Sequence, residues 1–279
     1  MSHHSGPADS GVVEVDGAAL AYERAGQGPP VVLLHAGIAD RRMWDAQIPA
    51  LVAQHTVVRY DLRGFGASPM PDLPFAHHDD LAGLLAALDI ERASLVGCSF
   101  GGRVAIDTAI AHPARVERLA LINPALSGFP WPEELNAGEE EIEAAFLAGD
   151  FDRAAEVDLR TWVDGPQRRP EDVDPAVRER AREMARHVYA VAVDAGQPRP
   201  LDPPAIERLG EVHVPALVVS GALDQPIMRE IAALLGERVA GARVVILSGV
   251  AHLANLEAPD AVNRLLLDFL DGGETDGQG

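Results

Sequence analysis

The 279-residue chain contains no lysine, and all 23 of its basic residues are arginine. Chemistry that needs a lysine amine, such as a Schiff base or the lysine of a phosphate-binding loop, is therefore excluded. Cysteine is nearly absent too. With Cys98 alone, no disulfide can form within the chain, which fits a reducing compartment. No apolar run approaches the roughly 18 residues that a membrane helix needs. The segment Met1 to Ser10 is polar and lacks the charged-then-apolar order of a secretory signal, so a cytoplasmic protein is expected. Positive charge is scarce relative to negative. The net charge of −20 argues against nucleic acid and anionic membrane surfaces as partners and reads as a well-solvated surface. Nothing in the sequence decides between a monomer and a homo-oligomer.

What is present is ample core. Hydrophobic residues make up 47% of the chain, enough for one large domain or a domain carrying an insertion. Short β-branched runs recur at Val12–Val15, Val31–Leu34, Thr56–Tyr60, Ser94–Gly97, Leu119–Ile122, Ala216–Val219 and Arg243–Leu247. Most are apolar throughout, as strands buried on both faces are. Helical periods lie between them. Leu81, Leu84, Leu85 and Leu88 share one face, as do Val262, Leu265, Leu266 and Phe269. Alternating strands and helices predict an α/β fold: a mainly parallel sheet with helices on both faces. No repeat interrupts the pattern, and Gly272 to Gly279 is expected to be disordered.

From about Ala125 to Leu209 the alternation stops. Helical stretches at Glu139–Ala148 and Pro175–Ala192 are broken by Gly165-Pro166 and by Pro198 to Pro204. The expected organisation is a core of residues 1–124 and 209–279 with a helical cap, residues 125–208, over the carboxyl edge of the sheet, where open α/β sheets bind ligands.

The chemistry centres on Gly97-Cys98-Ser99-Phe100-Gly101-Gly102, between the strand ending at Gly97 and a helix running to Ala111. This is the G-x-S-x-G pattern in its strand-to-helix context. A serine on so sharp a turn is exposed at a helix N-terminus, where a developing anion is favoured. Ser99 is the candidate nucleophile. Cys98 stands one residue early for that role and is expected to be a small buried hydrophobe. A serine hydroxyl needs a base and the base an orienting acid. Of the ten histidines, His252 follows a strand and precedes the last helix, so its loop emerges at the same sheet edge as Ser99. His3 and His4 lie in a loose terminus, His77 and His78 diverge on a helix without a third metal ligand, and His112 ends a helix. Asp224, just after Ala216–Val219, is the matching acid. One strand earlier the corresponding place is Asn123-Pro124, without a carboxylate. Gly37, leaving the strand Val31–Leu34, can supply a backbone N–H that pairs with that of Phe100 as an oxyanion hole. His35 is expected to brace its loop. Trp44, Arg160 and Trp162 are candidate substrate contacts, although a tryptophan placed like Trp44 is more often core.

With these residues assembled, the chain resembles the α/β-hydrolase superfamily over nearly its whole length. The resemblance rests on Val32-Leu33-Leu34-His35, on Tyr60-Asp61-Leu62-Arg63-Gly64-Phe65-Gly66-Ala67-Ser68, on the serine turn, on Gly221-Ala222-Leu223-Asp224 and on Gly249-Val250-Ala251-His252. The stretch Ala39 to Asp45 is similar to the capped branch that includes 3-oxoadipate enol-lactonases and small carboxylesterases. The resemblance implies triad roles for Ser99, Asp224 and His252, and an oxyanion hole from Gly37 and Phe100. Ala36 stands where the family usually has glycine. Serine at the nucleophile position argues against the dehalogenase and epoxide hydrolase relatives, which use aspartate there. The expected function is hydrolysis of a small ester or lactone through an acyl-enzyme, without metal or organic cofactor. Enol-lactone hydrolysis is the alternative, and it would call on a cap arginine such as Arg160, Arg168 or Arg169. Carbon–carbon bond hydrolysis and perhydrolysis are open to the same triad. A ligand receptor without turnover is opposed by the triad's completeness.

Overall fold

The computed structural model describes residues 9–192 and 196–272. His3 and His4, and the expected disorder beyond Gly272, fall outside the described residues. Eight strands form one sheet: β1 (Asp9–Val15), β2 (Ala18–Ala25), β3 (Pro30–Leu34), β4 (Thr56–Tyr60), β5 (Ala93–Cys98), β6 (Val116–Ile122), β7 (Ala216–Gly221) and β8 (Arg243–Leu247). Their spatial order is 1-2-4-3-5-6-7-8. From β4 onward every neighbouring pair is parallel, while β2 pairs antiparallel with both β1 and β4. β2 is the strand that the sequence pattern did not reveal. Its residues, AALAYERA, lack the β-branched run that marks the others. It is a strand because Tyr22 to Ala25 ladder onto β4 and Ala18 to Arg24 onto β1.

The sheet divides the core in two, because successive side chains of a strand point to opposite faces. Val32, Leu34, Leu95, Leu119, Leu121 and Val218 pack with helices α1 (His77–Ala87), α2 (Phe100–Ala111) and, further along the chain, Pro226–Arg238. Val31, Leu33, Val96, Ala120, Ile122, Leu217 and Val219 pack on the other side with the turns of residues 41–51 and the C-terminal helix Pro259–Leu270. Both faces are thus covered, and the near-continuous apolar strands follow from that. β8 closes one edge and leaves Ile246 half exposed.

Between β6 and β7 the chain builds three helices of eight residues or more, α3 (Glu133–Leu147), α4 (Phe151–Asp158) and α5 (Pro175–Val191), with a π-helical turn, Leu159–Asp164, continuing α4. Their contacts show where they sit. Arg180 on α5 pairs with Asp45, Gln225 Nε2 donates to the Thr161 carbonyl at 2.8 Å, and Arg168 pairs with Glu257 at 2.6 Å. Asp45, Gln225 and Glu257 all lie in segments that follow the carboxyl ends of β3, β7 and β8. The remaining helices of that length among the described residues are α6 (Pro226–Arg238) and α7 (Pro259–Leu270). Among the described residues no helix is long and apolar enough to cross a membrane.

The motif Asp61 to Ser68 is scaffold. Asp61 accepts from the Arg41 and Ala67 backbone N–H groups, each within 2.9 Å, and Ser68 Oγ donates to the Asp61 carbonyl at 2.7 Å. Arg63 is wholly buried, bidentate on Asp80 at 2.6 and 2.8 Å, and donates to the Val15 carbonyl at 3.1 Å. These three bonds go toward offsetting the desolvation of a buried ion pair, although Arg63 Nη1 is left without a partner.

Candidate active site

The turn after β5 is as tight as the sequence pattern requires. Ser99 has φ +52° and ψ −115°, outside the comfortable basins of an L-residue, at a cost of about 1–3 kcal/mol. The turn is held by Ser99 N–H to the Ile122 carbonyl and by the Ser99 carbonyl accepting from Arg103 and Ala125, all at 3.0 Å. A Cβ on Gly97 would lie 2.4 Å from the Gly101 carbonyl oxygen, and one on Gly101 would lie 2.3 Å from that of Leu34. Only glycine fits at these two positions. The result aims Ser99 outward, partly exposed, at the start of α2. Cys98 points the other way, fully buried. Burial foremost, and then Asp224, hold its thiol far above the ordinary value, so it stays protonated.

His252 and Asp224 meet as the loop positions suggested. His252 Nδ1 is 2.7 Å from Asp224 Oδ2, and both side chains are buried. Asp224 Oδ1 accepts from the Gln225 N–H at 2.7 Å. With Nδ1–H donated to the carboxylate, Nε2 is the imidazole's free lone pair. The His252 loop is tied down by a residue that the sequence pattern considered only as a missing acid. Asn123 Nδ2 donates to the carbonyls of Ala251 and His252 at 3.1 and 2.7 Å, and its Oδ1 accepts from the Gly221 N–H at 2.8 Å. Asn123 thereby joins the ends of β6 and β7 to the histidine loop. No sequence spacing signals this. Glu257 adds a further tie, accepting the Ala251 N–H at 2.8 Å.

Gly37 lies beside the start of α2, where a Cβ built on it would stand 3.6 Å from that of Phe100. The Phe100 N–H belongs to the first turn of a helix, whose donors have no intrahelical acceptor. His35 braces this loop. Its Nδ1–H donates to the Ala36 carbonyl at 2.8 Å and its Nε2 accepts from the Leu62 N–H at 3.0 Å. Burial lowers its pKa and keeps it neutral. Ala36 is buried in the core without a left-handed backbone, so the alanine fits where glycine was the usual choice.

The three candidate substrate contacts separate. Trp162 packs against His252 with its ring tilted by 40° and centroids 4.5 Å apart, and Trp131 lies 6.0 Å from Trp162. The His252 N–H also donates to the Trp162 carbonyl at 3.3 Å. Trp44 is a correction: it is 0% exposed, packed with Met43, Leu51 and Val57 in the core, and touches no solvent-filled space. Its apolar volume on a short turn behind β3 is what sends it inward. Arg160 is engaged within the chain. It is exposed on α4's continuation and pairs with Glu141 at 3.2 Å. Arg169 is exposed beside Asp172, and Arg168 is spent on Glu257 and on the carbonyls of Val163 and Asp164. Among the described residues no group of three or more His, Cys, Asp or Glu side chains is arranged to hold a metal ion.

Residues 31–265 match the model of the alpha/beta hydrolase family. The chain is 29% identical over 262 residues to a pimeloyl-[acyl-carrier protein] methyl ester esterase of Aeromonas hydrophila, covering 90% of this chain and 99% of the relative. Among solved structures it is similar to a hydrolase from Pseudomonas aeruginosa (TM-score 0.77, 33% identity, covering 94% of this chain and 98% of the other). It is likewise similar to the enol-lactonase from Burkholderia xenovorans LB400 (TM-score 0.76, 29% identity, 94% and 100%).

Proposed function

Because the chain belongs to the alpha/beta hydrolase family and is a hydrolase of that type, we propose that it cleaves a small carboxylic ester or lactone through an acyl-enzyme on Ser99. The observation that carries this reading is the 2.7 Å His252–Asp224 bond at the sheet edge where the strained serine turn emerges. Ser99 Oγ attacks the carbonyl carbon while His252 Nε2 takes its proton. The N–H groups of Phe100 and Gly37 hold the oxyanion, and collapse of the tetrahedral species expels the alcohol, protonated by His252. Water, deprotonated by the same nitrogen, then releases the acid and restores the serine. Asp224 keeps the imidazole in the required tautomer throughout.

The enol-lactonase alternative relied on a cap arginine free to bind a substrate carboxylate. Arg160, Arg168 and Arg169 are each engaged by a carboxylate of the chain, which favours the ester reading over one built on those three residues. Hydrolysis of p-nitrophenyl esters is the direct test. Ser99→Ala should lower kcat by about 10⁴-fold or more, with the fold intact by circular dichroism. Cys98→Ala should keep most of the activity. Loss of turnover in the cysteine variant together with its survival in the serine variant would assign the nucleophile to Cys98 instead.

A further inference from the structure

A cavity of about 310 Å³, within the size range of small-molecule sites, is walled in part by Ala125, whose N–H donates to the Ser99 carbonyl at 3.0 Å. Its walls are largely apolar, with Leu126, Phe129, Trp131, Ile227 and Ile231 among them. Trp131 lies 6.0 Å from the Trp162 ring, which is itself 4.5 Å from that of His252. The polar groups of the cavity are gathered on one side: Arg103, Asp107 and Ser127. Arg103 and Asp107 also line an adjoining cavity of about 280 Å³ with His77, His78 and Arg199. The two spaces meet at this pair.

Arg103 differs from the other deeply held arginines. Arg63, Arg168 and Arg178 each pair with a carboxylate at 2.6 to 2.9 Å. Arg103 lies over the Phe100 ring, its Cζ 4.7 Å from the centroid, and its buried Nε has no hydrogen-bond partner. Among the described residues no carboxylate forms an ion pair with it. Asp107, one turn along α2, instead accepts from Ser127 Oγ at 2.8 Å, and Ser127 Oγ in turn accepts from the Ala205 N–H at 2.9 Å. The charge of Asp107 acts on Arg103 without pairing with it, which leaves the planar fork of the guanidinium able to take a carboxylate in two hydrogen bonds.

We propose that this cavity holds the end of the substrate remote from the reacting carbonyl and selects esters whose remote end is a carboxylate, bound by Arg103. The assignment rests on the reading of Ser99 as the nucleophile. Apolar walls suit a short methylene chain between the two ends. A local cation is also needed for an anionic substrate to enter a protein of net charge −20. Asp107 faces the same space with opposite charge, so it weakens the preference that Arg103 creates.

The test compares kcat/KM for the p-nitrophenyl monoester of adipic acid with that for a neutral p-nitrophenyl ester of equal chain length. The parent protein should favour the carboxylated ester. Arg103→Gln should cut the ratio by about tenfold or more, Arg103→Lys should retain part of it, and Asp107→Asn should raise it. Because each ratio is taken within one protein, partial loss of folded material cancels. A merely structural role for Arg103 moves both esters together, and an unchanged ratio in Arg103→Gln overturns the proposal. Direct binding separates the two readings. In Ser99→Ala, hexanoate should quench Trp131 fluorescence more strongly than hexanol, and Arg103→Gln should abolish the difference. Arg103-dependent binding without any ester turnover would leave the subsite standing and remove the esterase reading. Turnover without Arg103 dependence would do the reverse.

Discussion

Single residues in this protein are set by what surrounds them more than by their type. Cys98 and Ser99 are neighbours in the chain, yet one is sealed in the core with its thiol protonated and the other stands at a helix start in a left-handed conformation. The pattern of glycines made that contrast legible. Asp158 was not legible. It sits on α4, buried, accepting a hydrogen bond from Tyr189 Oη. Burial pushes its carboxyl up to about 6, against smaller opposing effects of Tyr189 and His252. A carboxyl with a raised folded-state pKa binds its proton more tightly folded than unfolded. Its penalty is therefore present in full above about pH 6 and disappears as pH falls toward the ordinary value near 3.8. The difference is worth roughly 3 kcal/mol. Asp158→Asn keeps an acceptor for Tyr189 and removes the charge. Relative to the parent, its denaturation midpoint in urea should be higher at pH 7.5, with the advantage shrinking toward pH 4. A pH-independent difference would show that Asp158 does not titrate in this range.

Elements carry the next level of control. The strands β3, β5, β6 and β7 could be read from their apolar runs because both sheet faces are covered, which removes any need for polar alternation. β2 could not, since its alanine-rich sequence has no strand preference and its state is decided by pairing with β1 and β4. The helical segment between β6 and β7 is fastened to the His252 loop by Arg168, which reaches Glu257 and two carbonyls at the end of the π-helical turn. Both side chains of that pair are largely buried. Arg168→Ala leaves Glu257 without its cation and the two carbonyls without their donor. We expect a loss of about 3–5 kcal/mol and slower turnover of neutral and carboxylated esters alike, because the loop that presents His252 loosens for both. Thermal denaturation and parallel kinetics on the two esters would check this. A selective loss with carboxylated esters would instead make Arg168 a substrate ligand.

At the scale of the whole molecule, the excess of acid over base sets a long-range field that no local motif describes. A net charge of −20 slows the approach of any anionic substrate, and salt screens such repulsion over a Debye length of about 10 Å at 0.1 M. For a carboxylated ester, kcat/KM should therefore rise as ionic strength increases from low to physiological values, while that of a neutral ester stays nearly constant. Stopped-flow or steady-state measurements in sodium chloride would read this. A fall with salt for the carboxylated ester would mean that the local arginine field, not the global charge, governs encounter.

Much of the fold and the heart of the candidate site followed from the sequence by itself. Short-range rules act there: a buried strand must be apolar, a sharp strand-to-helix turn needs glycine on both sides of Ser99, and loops after successive parallel strands emerge at one edge. Those rules were enough to select Ser99, Asp224 and His252 before any coordinate was known. Tertiary structure decided the rest, because the relevant partners are distant in the chain. Trp44 is core and Trp162 lies on His252, although both are tryptophans in helical turns. The arginines that the enol-lactonase resemblance made attractive are consumed by Glu141, Asp172 and Glu257, while Arg103, inconspicuous behind the serine turn, faces a cavity with no carboxylate in an ion pair with it among the described residues. Which charge meets which is settled by packing, and packing is not written in any window of the sequence.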